Sequence, residues 1–228
     1  MAKKVFIAPG HGGSDPGAVA NGFKEKDLNL VISLACRDEL ERHGVTVLMS
    51  RSKDEDETLN QQTSECNAFA PDVAVNIHNN AGGGDGAEVF YHIGGGTSKT
   101  LAEKILEEIV ALGQNSRGIK TKVGSDGRDW FGFIRQTNAP AVLVECAFVD
   151  NRKDMEIIDT EGEQKAMGVA IAKGILRTIG VEYKPVEAPK PAKLYRCQVG
   201  AYADRKNAEA MLQKLLAAGF KDAFIKES

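Results

Sequence analysis

The chain has 228 residues, of which 42% are hydrophobic and 27% charged, with a formal net charge of −3. That is enough apolar material for a well-formed core in one or two domains. The slight negative charge excludes the basic face that a nucleic-acid partner requires and gives no pull towards anionic membranes.

In chain order, the N-terminus reads MAKKVFIAPGHGG. Its apolar run, Val5 to Pro9, is shorter than the roughly 7–15 residues of a secretory h-region. No stretch approaches the roughly 20 apolar residues of a membrane helix. The expectation is synthesis in the cytoplasm without a signal peptide. Val5–Ala8 reads as a buried strand ended by Pro9-Gly10. Lys26 to His43 reads as a helix, with Leu28, Val31, Ile32, Ala35 and Leu40 at helical spacing and Gly44 as its stop. Val45–Met49 is a second strand. Thr58 N-caps a helix running to Phe69. Val73–Ile77 and Ala87–Tyr91 are the third and fourth strands, and Ser98 to Leu112 is helical. Ala141–Cys146 is a fifth strand and Gln164 to Ile179 a further helix. Strands alternating with helices predict an α/β fold, a mostly parallel sheet with helices on both faces.

Residues 181–193, VEYKPVEAPKPAK, hold three prolines and three lysines and read as a semi-rigid linker. It divides a domain over 1–180 from a small unit over 194–228. That unit reads as β (Leu194–Ala201), α (Asp204–Ala218), β (Lys221–Lys226). Asp204 is the N-cap, Ala208, Met211, Leu212 and Leu215 form the apolar stripe, and Gly219 closes the helix. Cys36, Cys66, Cys146 and Cys197 form no C-x-x-C pair. Cys36 and Cys146 lie in apolar runs and read as buried thiols, with no disulfide framework.

Two histidines follow apolar strands, in Ala8-Pro9-Gly10-His11-Gly12-Gly13 and Val75-Asn76-Ile77-His78-Asn79-Asn80. The carboxyl edge of an open α/β sheet is where ligands bind, and neighbouring parallel strands bring His11 and His78 together there. Glu25 opens the first long helix and points back to the same edge. Two imidazoles and one carboxylate form a catalytic zinc set with a fourth position for water. Glu145 closes the run Pro140 to Val144, where a buried carboxylate needs a partner or a task. As a general base it takes a proton from the attacking water and returns it to the leaving nitrogen. The other candidates read more plainly. His43 is a surface residue, His92 is structural, Arg135 and Gln136 are loop residues, Gly82–Gly84 is a flexible turn, and Glu55–Glu57 is a solvated acidic loop. The glycine run around His11 lacks the Gly-Lys-Ser/Thr ending of a phosphate loop.

The frames APGHGGSDPGA, KEKDLNL, NIHNNAGG and PAVLVECAFVDN, in that order, resemble the zinc-dependent N-acetylmuramoyl-L-alanine amidases of the amidase-3 type over about residues 3–180. The resemblance implies a six-stranded sheet. It also implies hydrolysis of the amide between the lactyl group of N-acetylmuramic acid and L-alanine in peptidoglycan. His11, Glu25 and His78 carry over as ligands of one Zn2+, and Glu145 as the catalytic base. Ala8-Pro9-Gly10 departs from the family's usual Asp-Pro-Gly at a position that is not a ligand. The C-terminal stretch LYRCQVGAYADRKNAEAMLQKLLAAGFKDAFIKES resembles half of a SPOR peptidoglycan-binding domain, one βαβ unit where the full domain has two. The resemblance implies wall binding, and the unpaired strand edges of a lone unit lead to the expectation of a homodimer through residues 194–228. The expected setting is lysis from within, as a phage endolysin or a mother-cell autolysin. The rival readings are a zinc peptidase of the stem peptide and a non-catalytic peptidoglycan-binding protein.

Overall fold

The computed structural model describes residues 2–185 and 197–227. In chain order its first elements are β1 (Lys4–Pro9), β2 (Val19–Ala20), β3 (Phe23–Lys24), α1 (Glu25–Arg42), β4 (Thr46–Met49), α2 (Leu59–Phe69), β5 (Val73–Asn80) and β6 (Ala87–Tyr91). There follow α3 (Thr97–Ala111), β7 (Ser116–Lys120), α4 (Gly132–Gln136), β8 (Ala141–Phe148), α5 (Arg152–Met155), α6 (Glu161–Ile179) and α7 (Arg205–Ala217). The chain divides into two units, Met1–Lys184 and Pro185–Ser228.

The first unit is built on a six-stranded sheet of order β4-β1-β5-β8-β6-β7. All neighbours run parallel except β6 and β8. The antiparallel pair was not foreseen, because strand direction is set by where a crossover lands and leaves no trace in apolar periodicity. The sixth strand, β7, was supplied only by the resemblance. Its sequence SRGIK has a single large apolar residue and gives no alternation.

Alternation along each strand sorts the side chains between two unequal layers. Val5, Ile7, Val75, Ile77, Val142 and Val144 face a large core shared with Leu28, Ile32, Leu101, Ile105 and Ile171 of α1, α3 and α6. Phe6, Ala8, Ala74 and Ala141 face a small one with Cys66 of α2 and Phe133 of α4. The three-helix face anchors the sheet, and the thinner α2/α4 face leaves room for a cleft. Helix ends follow local chemistry. Thr58 with Gln61, and Thr160 with Glu163, form capping boxes at the starts of α2 and α6. Each is worth on the order of 1 kcal/mol. Gly168 of α6 lies so near α1 that a methyl there would stand 2.8 Å from the Ala35 Cβ, so the two helices cross at close range.

The first compact unit extends past the expected residue 180, to Lys184. Val181 N–H donates to Leu176 O at 2.9 Å, and the Tyr183 ring stacks on His43 with centroids 5.1 Å apart. This also revises His43, read as a surface residue. Its side chain is only 2% exposed, and its Nε2 accepts the Lys184 N–H at 2.9 Å.

In the second unit α7 forms as expected, with Asp204 accepting the Lys206 N–H. Ala208, Met211, Leu212 and Leu215 are half-buried, and no residue of the helix is fully buried. The flanking strands are corrected. Cys197–Ala201 and Lys221–Lys226 form no strand, and Leu194–Arg196 lie outside the described residues. The physical reason is that a two-stranded piece without further partners is marginal at best.

Candidate metal centre and active site

The carboxyl ends of β1, β5 and β8 meet at one point of the sheet edge. Ala8 and Pro9 pair with Asn76 and Ile77, and His78 pairs with Glu145. His78 therefore lies within its strand, not just past the end as expected, and Glu145 lies within β8, as the reading of Ala141–Cys146 as a strand has it. β5 and β8 both run on to a register shift between His78 and Asn80.

Gly10 faces His78. Its N–H donates to Ile77 O at 2.8 Å, and any Cβ at position 10 would occupy the space of the imidazole. The chain then turns sharply. His11 adopts a left-handed conformation, φ 60°, and the turn is tied by paired backbone hydrogen bonds between Gly12 and Asp15, both 3.0 Å. Left-handed backbone at a non-glycine residue is strained and needs such support. Glu25, 4% exposed, enters from the first turn of α1.

One ligand atom from each of His11, Glu25 and His78 lies within 4.8 Å of the others, a cluster that could hold a metal ion. Glu25 Oε2 lies 3.2 Å from His11 Nε2, and Oε1 lies 3.0 Å from His78 Nδ1. The imidazole nitrogens on the far sides also have partners. His11 Nδ1 is 2.7 Å from Asp15 Oδ2, and His78 Nε2 is 3.1 Å from Asn76 Oδ1. With an acceptor for the outer N–H, each ring can give up its inner proton to a metal while keeping its orientation, the support that a metal-ligating histidine needs.

Burial works against the charge of Glu25. The hydrogen bonds to His11 and His78 outweigh it and hold the carboxyl well below its usual range. The bond to Glu25 raises His11 to about 9. Glu145 behaves oppositely. Burial, then the charges of Glu25 and Glu88, push it up to about 8. Its Oε2 is buried with no hydrogen-bond partner among the described residues. A carboxylate of raised proton affinity with a free oxygen is equipped to accept and return a proton near neutral pH. The donor set, the outer acceptors and this orphaned oxygen together fit a catalytic metal. The adjoining cleft, of about 300 Å3, is lined further by Glu57, Leu59, Gln62, Phe131 and Phe133.

Several supporting residues had gone unseen. Arg51, 2% exposed, donates to the carbonyls of Pro9, Gly10, Lys26 and Lys53 and so locks the His11 turn to the start of α1. Asp56, in the acidic run Glu55–Glu57 read as a solvated loop, instead clasps that turn together with the preceding Asp54. Asp54 Oδ1 accepts the Gly13 N–H and Asp56 Oδ1 the Ser14 N–H, both at 2.7 Å, while Glu57 binds Ser50 and Gln62. Bare backbone N–H groups of the turn require acceptors, and these carboxylates are the ones in reach. Arg135 and Gln136 belong to α4 and not to a loop. Arg135 braces the carbonyls of Asp129 and Trp130. His92 lies 3.3 Å from Asp129.

Fold and site together define an α/β enzyme with a candidate metal centre at the carboxyl edge of its sheet. The chain belongs to the N-acetylmuramoyl-L-alanine amidase family, whose profile matches residues 5–177. It is a peptidoglycan hydrolase. A SPOR domain profile matches residues 173–227. The chain is 36% identical over 226 residues to the N-acetylmuramoyl-L-alanine amidase CwlM of Bacillus licheniformis, covering 97% of this chain and 84% of the relative. It is 34% identical to a sporulation-specific N-acetylmuramoyl-L-alanine amidase of Bacillus subtilis, over 95% of this chain and 82% of the relative. The catalytic domain of CwlV, an amidase from Bacillus (Paenibacillus) polymyxa, superposes with a TM-score of 0.70 at 31% identity. That match covers 79% of this chain and 99% of the other.

Proposed function

We propose that the amidase is zinc-dependent, with one Zn2+ held by His11, Glu25 and His78 and Glu145 as general base. The supporting observation is the meeting of these three ligand atoms within 4.8 Å, one strand from the unpartnered Oε2 of Glu145. When bound, the ion supplies a Lewis acid towards the amide carbonyl and acidifies the attacking water. Asp15 and Asn76 hold the two imidazoles in register. Glu145 accepts a proton as the water oxygen adds to the lactyl carbonyl carbon. It delivers that proton to the alanine nitrogen as the carbon–nitrogen bond breaks, leaving a lactyl carboxylate and a free L-alanine amine.

Chelation should abolish amine release from purified peptidoglycan, and stoichiometric zinc should restore it. Glu145→Gln should keep zinc and lose at least about 10²–10⁴-fold in rate. Full activity after chelation, or loss of zinc from Glu145→Gln, overturns the assignment.

We further propose that residues 194–228, beyond a linker, bind the wall or pair two chains. Tyr202, Phe220, Phe224 and Ile225 are exposed large apolar side chains in this unit. A second copy would supply the missing half of the SPOR arrangement. Light scattering at micromolar concentration should give a dimer for the whole chain and a monomer for residues 1–184. A monomer in both cases leaves wall binding as the role of the unit. Lysis from within, by phage release or mother-cell lysis, is the setting that suits such an enzyme.

A further inference from the structure

Beyond the zinc ligands and the base, a second charged cluster lies one strand further across the sheet. Glu88 on β6 is the register partner of Glu145 on β8. Directly opposed residues share a face, with Cα atoms about 4.5–5.5 Å apart. Glu88 is 5% exposed. Its Oε1 accepts Asn80 Nδ2 at 3.0 Å, and its Oε2 accepts Arg117 Nε at 2.8 Å and Lys120 Nζ. Two cations meet this one carboxylate, and Arg117 lies near enough to Asp85 to help lower that carboxyl as well.

Lys120 alone would neutralise Glu88, and a purely structural pair would need nothing more. Arg117 is held on two sides. Its Nε is engaged by Glu88, and its guanidinium carbon lies 4.9 Å from the centroid of the Phe148 ring. The plane is thereby fixed, while the side chain stays 36% exposed. Among the described residues, Glu88 is the only hydrogen-bond partner of Arg117, and neither terminal Nη group is engaged. A planar fork, fixed in place with its outer edge free, is a donor set for a carboxylate bound through two parallel hydrogen bonds.

The cluster adjoins the cleft through Glu145, which lines it and is the register partner of Glu88. Strands lie about 4.8 Å apart, so β7 stands roughly 10 Å from β8. One residue of extended peptide, about 3.5 Å, together with the Arg117 side chain bridges that distance. The stem-peptide residue after L-alanine can present a carboxyl there either as the free carboxylate or as a carboxamide.

We propose that Arg117, backed by Glu88 and Lys120, is the subsite for that carboxylate, so that the enzyme selects stems in which it is a free acid. This rests on the amidase reading above. A carboxamide brings no charge and turns an N–H towards a donor, losing one of the two hydrogen bonds.

The test compares two soluble substrates, N-acetylmuramoyl-L-alanyl-γ-D-glutamate and its α-carboxamide, by release of the amine in the zinc-loaded full chain. The wild type should favour the acid in kcat/KM by about tenfold or more, as expected of a charge-assisted bidentate contact. Arg117→Gln should collapse that ratio towards one, mainly through KM, and Arg117→Lys should restore it only in part. A brace between β6 and β7 would move both substrates equally and leave the ratio intact. An unchanged ratio in Arg117→Gln, or no preference in the wild type, overturns the proposal while the amidase reading stands. Failure to release amine from either substrate overturns both.

Discussion

Replacing Gly10 by alanine tests the geometry of the proposed zinc site with a single methyl group. Gly10 is not among the glycines of positive φ, so alanine suits its backbone and the whole effect is steric. The added carbon would stand 2.5 Å from His78 Nδ1 and closer still to Cε1 and Nε2, where ordinary contact begins at 3.4 Å. The ring must retreat by about 1 Å, or the ends of β1 and β5 must part, at a cost of about 1–3 kcal/mol. Since Nδ1 is the atom facing Glu25, that retreat is taken from the metal site. A misplacement near 1 Å costs about 10²-fold in catalysis, and perturbing the support of a ligand costs about 10–100-fold in metal affinity. Zinc affinity, measured by competition with a chromophoric chelator, should fall at least about tenfold, and kcat about 10²-fold. Melting of the chelated protein should drop by about 2–4 °C per kcal/mol. Gly162→Ala is the control, because a methyl there meets only Thr160 Oγ1 at 3.9 Å. A Gly10→Ala enzyme that binds zinc and turns over like the wild type would remove His78 from the ligand set.

Arg51→Met deprives four backbone carbonyls of their donor. It should cost about 3–5 kcal/mol, seen as a lower urea midpoint at unchanged slope. Arg51→Lys should recover little, since one ammonium cannot span carbonyls from three segments, and a loss below about 1 kcal/mol would contradict the role given to Arg51. Asp150 accepts the N–H groups of Gly82 and Gly83, both at 2.8 Å, and those bonds hold its carboxyl below the usual range. A depressed folded value means that the stabilisation is complete above the unfolded value, about 3.9, and is lost as pH falls through the folded value. The melting gap between wild type and Asp150→Asn should therefore be constant from pH 7 to about 5 and shrink below about 4. A gap that widens in acid would reverse the sign of this argument.

The elements legible in the sequence were those whose signal is local. Leu28, Ile32 and Leu40 mark α1 by spacing alone, and all three are buried. Thr58 marks the start of α2 because its capping partner Gln61 is three residues away. The meeting of the candidate site residues was legible in the same way, since each of His11, His78 and Glu145 sits beside an apolar run that names its strand. Residues whose partners are distant backbone atoms stayed hidden. Asp54 and Asp56 look solvated until the turn at Gly13 and Ser14, some forty positions earlier, is folded against them. Arg51 carries no mark at all, because its acceptors are carbonyls that every residue has. Glu88 falls between these cases. In Ala87-Glu88-Val89-Phe90-Tyr91 it is the one charge in an otherwise apolar strand, and a strand covered on both faces has no solvent side for it. By the reasoning that drew attention to Glu145, that charge too requires a partner or a task. Asn80, Arg117 and Lys120 provide the partner, and the unengaged edge of Arg117 leaves room for the task.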